Sequence, residues 1–251
     1  MRKLLIFLLK KFNYQLIKLD SDNRMRNYPD FNSDIVDIVA KVKPYTMTSP
    51  ERIYALVNAV EYIAKNEIKG DIVECGVWKG GSTMAAAYSL LNYRDSNRQL
   101  FLYDTFEGMS EPTEVDKHFD GNMAEDLLNS ADKIKDQIWC YSTLDEVKVN
   151  MEKTKYPASR VRYIKGKVED TIPANLPGEI AILRLDTDWY ESTKHEMEHL
   201  FPLLVRGGVL IIDDYGHWQG ARKAIDEYLT ENSITILLNR IDYTGRIGIK
   251  M

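Results

Sequence analysis

The chain is expected to fold as an α/β domain: a doubly wound, mostly parallel sheet with helices on both faces. Three features lead there. Apolar runs of strand length alternate with segments of helical periodicity along most of the chain. Runs such as "AILRL" and "VLII" are apolar nearly throughout, as strands covered on both faces must be. The sequence closes on a hairpin pattern, the one place where neighbouring strands would run antiparallel.

At the start, Leu5, Leu8, Phe12, Leu16 and Leu19 recur at helical spacing, with Lys3, Lys10, Lys11 and Lys18 between them. The apolar run Leu4–Leu9 is too short to span a membrane, and no signal-peptide cleavage pattern follows it. Such a helix packs on the body or on a partner subunit, or lies on an anionic lipid surface; both readings stay open. Residues 1–45 are assigned to a helical appendage and 46–251 to the main domain.

Residues 21–50 are polar and turn-rich around a short amphipathic piece, Ile35–Val42. Ser49, Pro50 and Glu51 then supply an N-cap, a first-turn proline and an early acid for the helix in "TSPERIYALVNAVEYIAKN". Strands are expected at Asp71–Cys75, Leu100–Tyr103, Val161–Ile164 and Ile180–Leu185, with helices over Ser82–Leu91 and Glu191–Leu204. Gly207-Gly208 introduces a fifth strand, "VLIID", and "ARKAIDEYL" is helical. "ITILLN" and "GRIGIK" form the final hairpin around Tyr243-Thr244-Gly245. The segment Glu107–Pro157 breaks this rhythm; charged, aromatic and helix-prone, it is too long for an ordinary connection and is expected to form a lid, with an oligomer contact as the alternative.

Of 251 residues, 44% are apolar, enough for a sizeable core. Acids outnumber bases 38 to 33, and with no basic stripe this argues against a nucleic-acid partner. Cys75 and Cys140 offer neither a disulfide framework nor zinc spacing, which suits reduced thiols in a cytoplasmic protein.

Ligands of an open parallel sheet bind outside the carboxyl ends of its strands. Here those ends are "ECG" at Glu74–Gly76, "DTF" at Asp104–Phe106, "DTD" at Asp186–Asp188 and "DDY" at Asp213–Tyr215. Carboxylates gathered on one rim repel one another unless a cation or ligand hydroxyls compensate. Gly76, Gly80 and Gly81 make a turn that bares backbone to a ligand and starts a helix. "GVWKGGST" resembles a phosphate-binding loop but lacks the lysine before the final Ser/Thr, and its spacing is not the dinucleotide fingerprint. An acid just before the first glycine, with Asp104 placed to accept from a ribose diol, suits a cationic nucleoside without phosphates. S-adenosylmethionine is such a ligand. Asp186, Asp213 and Asp214 are hard oxygen donors from adjacent strand ends, the set that Mg²⁺ or a similar ion prefers. With the ion holding two vicinal substrate oxygens, Asp186 or Asp188 is the candidate base. His195 and His199 stand four apart but lack a third zinc ligand, and Glu196 and Glu198 read as charges on a helix face. His118, His217 and Tyr215 are candidates for touching the substrate.

Together "DIVECGVWKGGSTM", "LYDTFEGM", "KGKVEDTIP", "AILRLDTDWYEST", "LFPLLVRGGVLIIDDYG" and "ARKAIDEY" resemble the macrocin/mycinamicin O-methyltransferase family over roughly residues 46–228. The resemblance implies a class I methyltransferase sheet of seven strands with a reversed final strand. It also implies S-adenosylmethionine and Mg²⁺ as cofactors, and a hydroxyl of a sugar or sugar-bearing natural product as acceptor. Carried onto this chain, Glu74, Gly76, Gly80, Gly81 and Ser82 surround the methionine part. Asp104 holds the ribose, with Thr105 and Phe106 beside it. Thr46 and Met47 close over the cofactor, Val168 and Glu169 lie near the adenine, and Asp186, Asp213 and Asp214 hold the metal. Thr187 departs from the glycine common in the family. Relatives' habits imply a homo-oligomer. A catechol-type O-methyltransferase and a non-catalytic nucleoside- or sugar-binding module remain the rival readings.

Overall fold

The computed structural model describes residues 28–251, so the helical spacing at Leu5–Leu19 lies outside the described residues. Contacts divide the chain into a unit ending at Asp37 and a second running from Ile38 to Met251. Within the first, the rings of Tyr28 and Phe31 stack with centroids 4.7 Å apart. Helix α1 (Ser33–Val42) starts two residues before the expected Ile35, with Asn32 Oδ1 accepting the amide of Ile35. Among the described residues no helix is long and apolar enough to cross a membrane.

The second unit is built on seven strands: β1 (Asp71–Cys75), β2 (Leu100–Asp104), β3 (Val161–Lys165), β4 (Ile180–Leu185), β5 (Leu204–Ile212), β6 (Asn239–Arg240) and β7 (Arg246–Ile249). Their order is β3-β2-β1-β4-β5-β7-β6. Pairs among β1 to β5 are parallel, while β7 runs antiparallel to both β5 and β6. This is the mostly parallel sheet with a reversed last strand that the sequence implies. Every residue of β4 is buried, as a central parallel strand requires.

The helices that frame the rim follow local chemistry. In α2 (Pro50–Lys65), the Ser49 hydroxyl accepts the amide of Arg52 at 3.2 Å, and Ile53, Leu56, Val57, Val60 and Ile63 form the buried stripe. The small residues of α3 (Gly81–Asn92) let it pack closely against α2. The short helix α6 (Val168–Thr171) follows β3, and helix α7 (Tyr190–His199) packs along α8 (Gln219–Glu231).

Three expected boundaries move. The helix expected over Glu191–Leu204 stops at His199, because Pro202 cannot donate to its continuation; a short 3₁₀ turn, Phe201–Leu203, follows. Lys250 Nζ satisfies the carbonyls freed there, those of Phe201, Pro202 and Leu204. Strand β5 accordingly begins at Leu204, with Gly207 and Gly208 inside it rather than before it. "ITILLN" keeps strand-like alternation, with Ile234, Ile236 and Leu238 against the core and Leu237 exposed. Its ladder closes only at Asn239 and Arg240.

The segment between β2 and β3 carries α4 (Ala124–Asn129) and α5 (Leu144–Glu152) and is fastened at several points. Asp116, fully buried, accepts the amide of Tyr190 at the start of α7 and the amide of Thr113, both at 2.7 Å. Trp189 Nε1 donates to the Ser110 carbonyl, Gln219 N to that of Lys117, and Asn150 Nδ2 to that of Lys79. Met109, Ile138 and Cys140 from this segment line the cavity at the carboxyl ends of the strands, so the insertion forms part of its wall.

Candidate active site

Register brings the four acidic strand ends onto one rim. Cys75 pairs with Tyr103 on one side and Leu185 on the other, and Leu185 pairs with Ile212. The amides of Gly76, Asp186 and Asp213 carry the ladder one step further, each donating at 2.9 Å to the carbonyls of Tyr103, Cys75 and Leu185 respectively. The rim therefore straddles the β1–β4 boundary, where strand order reverses and open sheets place their ligands. A cavity of about 440 Å³ opens there.

Thr46, Met47, Glu74, Gly76, Ser82, Asp104, Thr105, Val168, Glu169, Asp186, Asp188, Asp213, Asp214 and His217 all line it. Gly80, Gly81, Phe106, His118 and Tyr215 are not part of the wall. Gly80, at φ +87°, caps α3, and a Cβ on Gly81 would meet the Tyr45 carbonyl oxygen at 2.5 Å, so these two glycines set the loop rather than line the space. Gly76 has the tightest requirement: at φ +80°, its Cβ would stand 2.0 Å from the Asp186 carbonyl oxygen. Tyr215 donates its hydroxyl to Asp226 and packs beside the core, with the Arg246 guanidinium 5.0 Å from its ring centroid.

Asp104 does structural work that the sequence does not announce. Its Oδ2 accepts the amides of Val77 and Trp78 at 2.6 and 3.0 Å, and its Oδ1 accepts that of Phe106 at 2.6 Å. Trp78 and Phe106 both sit at positive φ, 48° and 52°, which costs about 1–3 kcal/mol apiece and persists only when the surroundings hold it. One carboxylate thus fixes both turns at the β1–β2 end of the cavity. Burial pushes its pKa up, opposed by the three backbone donors.

The repulsion expected among the rim acids is met in part by the protein itself. Arg184, buried in β4, lies 2.6 Å from Glu74 Oε1, 2.7 Å from Asp186 Oδ2 and 2.7 Å from Asp213 Oδ1, and donates to Thr48 Oγ1 at 3.1 Å. Arg52 pairs with Asp213 Oδ2 and, at 3.0 Å, with Asp242. Burial opposes the charge on Arg184, but Asp186, Asp213 and Glu74 more than compensate and hold the guanidinium firmly protonated. Sequence reasoning missed both arginines. The signal for Arg184 was available: a cation in the middle of the apolar strand "IAILRLD" must be paired.

The arginines do not finish the neutralisation. Asp186, Asp213 and Asp214 each present an oxygen within 4.8 Å of the other two, the one group among the described residues with metal-binding geometry. Asp214 Oδ2 is buried without a hydrogen-bond partner, and Asp213 Oδ1 has only the Arg184 guanidinium, 2.7 Å away. All-oxygen donors with spare lone pairs and net negative charge fit Mg²⁺ or a similar hard ion. Asp188 stands beside them at φ +68°, with the Trp189 amide donating to the Thr187 carbonyl across it. This γ-turn is a strained conformation. It puts the positive-φ residue at 188 rather than 187, so position 187 does not require glycine. Burial and then the Asp186 charge push the Asp188 carboxyl up to about 7.

Among the histidines, His217 lines the cavity with its Nδ1 2.9 Å from the Tyr243 hydroxyl. Burial and then the neighbouring His118 lower its pKa to about 4, so the ring is neutral. His195 and His199 each spend a ring nitrogen on a backbone carbonyl, those of Ile172 and His195. Glu196 corrects the expectation of a helix-face charge: it is fully buried, accepts from Thr187 Oγ1 at 3.0 Å, and burial pushes its pKa well up.

Comparison with known proteins agrees with this layout. The chain matches the macrocin O-methyltransferase (TylF) family over residues 14–247. It is 32% identical, over 97% of its own length and 91% of the relative's, to the 8-demethyl-8-(2,3-dimethoxy-alpha-L-rhamnosyl)-tetracenomycin-C 4'-O-methyltransferase of Streptomyces olivaceus. It is 30% identical, over 80% of its length and 76% of the relative's, to the mycinamicin III 3''-O-methyltransferase of Micromonospora griseorubida. The solved structure of the O-methyltransferase NovP superposes with a TM-score of 0.71 at 29% identity, covering 82% of each chain. The chain belongs to the macrocin O-methyltransferase family and has its class I methyltransferase fold.

Proposed function

We propose that this chain transfers the methyl group of S-adenosylmethionine to a hydroxyl of a sugar or sugar-bearing small molecule, with a divalent cation held by Asp186, Asp213 and Asp214. The observation that carries the proposal is one cavity shared by two chemistries: a glycine turn with Glu74 and Asp104 at one end, and a three-aspartate cluster with a buried, unpartnered Asp214 oxygen at the other. Relatives named as a rhamnosyl-tetracenomycin-C 4'-O-methyltransferase and a mycinamicin III 3''-O-methyltransferase support the acceptor class.

In this reading, Glu74, Ser82 and the Gly76 turn seat the methionine part of the cofactor, and Asp104, besides its three amide bonds, accepts from the ribose. Thr46 and Met47 close that end, with Val168 and Glu169 flanking the adenine. The cofactor supplies a sulfonium methyl: its S–CH₃ bond breaks as the C–O bond to the acceptor forms, with the hydroxyl proton leaving to a base. A divalent ion, when bound, acidifies and orients that hydroxyl. Asp188, which lines the same cavity and is not itself a proposed metal ligand, takes the proton. Displacement at a methyl carbon depends chiefly on alignment, which the rigid rim and docked insertion supply.

The test is mass spectrometry of products from the protein, the cofactor and a panel of glycosides and phenols, with and without Mg²⁺. A product heavier by one methylene, made from a glycoside and lost on chelation, is the expected result. Methylation of catechols alone would transfer the reading to the aromatic-diol class, and turnover indifferent to chelation would remove the metal from it.

A further inference from the structure

Tyr243 lines the cavity near the three aspartates, and the ring of Phe119 lies just outside the wall, 6.3 Å from it; the two residues are 54% and 57% exposed. They are the outer members of a continuous aromatic cluster. Trp189 and Trp218 meet in the interior at 4.9 Å, and Trp218 touches both His118 and His217. Phe119 then packs on His118 at 4.1 Å, and Tyr243 lies 5.8 Å from His217.

Neither loop carrying these rings is loose. Phe119 sits on a small hairpin closed by the Lys117–Met123 bridge and tied to the β5–α8 turn by the His118–Trp218 bridge. Gln219 Nε2 also donates to the His118 carbonyl at 3.1 Å. Beside Tyr243, Thr244 Oγ1 donates to the Asp213 carbonyl at 2.6 Å, and Gly216 approaches so closely that a Cβ there would stand 2.0 Å from the Tyr243 carbonyl oxygen. Burying a phenyl side chain is worth roughly 1.5–3 kcal/mol, so two rings held rigidly half in water next to a cavity mark a surface with another use.

We propose that Phe119, Tyr243 and His217 form a subsite for a pyranose ring, one that presents a sugar hydroxyl to the three aspartates. The inference deepens the methyl-transfer reading and takes its orientation from it. The chemistry on the rim is mixed in the way a sugar is mixed. Phe119 and Tyr243 meet at 73°, a corner rather than a slot between parallel faces. Such a corner suits a puckered ring, whose C–H face lies on one aromatic face while its hydroxyls point sideways. Hydrogen-bonding groups flank it: the exposed Asp120 carboxylate, 2.7 Å from His118 Nδ1, and the Tyr243 hydroxyl that bonds His217.

The test uses the full-length chain and saturation-transfer NMR with two probes, methyl α-L-rhamnopyranoside and catechol, each with and without S-adenosylhomocysteine and Mg²⁺. The pyranoside's ring C–H protons are expected to receive saturation from wild type, and competition to show binding weakened about tenfold in Phe119→Ala and Tyr243→Ala. Phe119→Tyr should keep the affinity and Phe119→Leu should not, since leucine restores apolar area without a π face. Both rings are half-exposed, so melting temperatures should stay at the wild-type value. Undiminished pyranoside binding in Phe119→Ala, full rescue by leucine, catechol binding without pyranoside binding, or no pyranoside binding to wild type would each overturn the subsite. The methyl-transfer reading is judged separately, by cofactor consumption and cofactor binding, so either can fail while the other stands.

Discussion

Asp214→Asn is expected to lower methyl transfer about a thousandfold while leaving affinity for S-adenosylhomocysteine within about twofold of wild type. Of the three clustered aspartates, Asp214 is the most informative to change. Asp213 is shared with Arg52 and Arg184, and Asp186 with Arg184, so replacing either also frees a buried guanidinium. Asp214 has neither partner, and its Oδ2 is a buried acceptor without a hydrogen bond. Asparagine preserves its shape and removes one negative charge from the proposed ion site. Several kcal/mol of charge stabilisation at the reacting oxygen convert to a rate factor of about a thousand. Glu74, Asp104 and the Gly76 turn stay untouched at the far end of the cavity, so the binding isotherm for the cofactor product should barely move. Single-turnover rates set beside calorimetry make the comparison, and an equal loss in both would show that the two ends are not separate.

Arg184→Met is expected to destabilise the fold by about 3–5 kcal/mol, the usual consequence of removing one member of a buried ionic group. The residue lies among Glu74, Asp186 and Asp213, and all four side chains are at least mostly buried, Arg184 and Asp213 being only 3% exposed. Methionine fills much of the volume but leaves three carboxylates without their shared cation. For a chain of this size that corresponds to a fall in melting temperature of about 10 °C or more. Arg184→Lys, which keeps the charge but cannot fork to several partners, should fall between. Thermal denaturation followed by circular dichroism measures both. A melting temperature within a degree or two of wild type for Arg184→Met would mean that the carboxylates are neutral or solvated rather than held by this cation.

Much of the architecture was legible because periodicity and punctuation agree. Ser49-Pro50 announces α2, the run Asp71–Cys75 matches β1 residue for residue, and the terminal strand reversal follows from the hairpin at Tyr243–Gly245. The failures are local and have causes. Pro202 ends α7 early through a missing donor, and the apolar "ITILLN" satisfies the core by alternation without closing a ladder. At the site, acids at strand ends were visible because parallel register must align them. Their compensation was not, since Arg52 reaches Asp213 and Asp242 from residues far away in sequence. Asp104 was recognisable as a strand-end acid, yet its hold on Val77, Trp78 and Phe106 depends on two turns whose left-handed residues are not glycines. Glu196, seen only as one more charged residue in "KHEMEH", faces inward because α7 turns that side to the sheet.

The most direct test is anomalous diffraction from crystals of the full chain grown with Mn²⁺ and S-adenosylhomocysteine. One manganese peak is expected at about 2.2 Å from carboxylate oxygens of Asp186, Asp213 and Asp214, in the same cavity as the nucleoside, whose ribose lies against Asp104. A peak elsewhere, or a nucleoside seated away from the Gly76 turn, would contradict the assignment of that rim to metal-assisted methyl transfer.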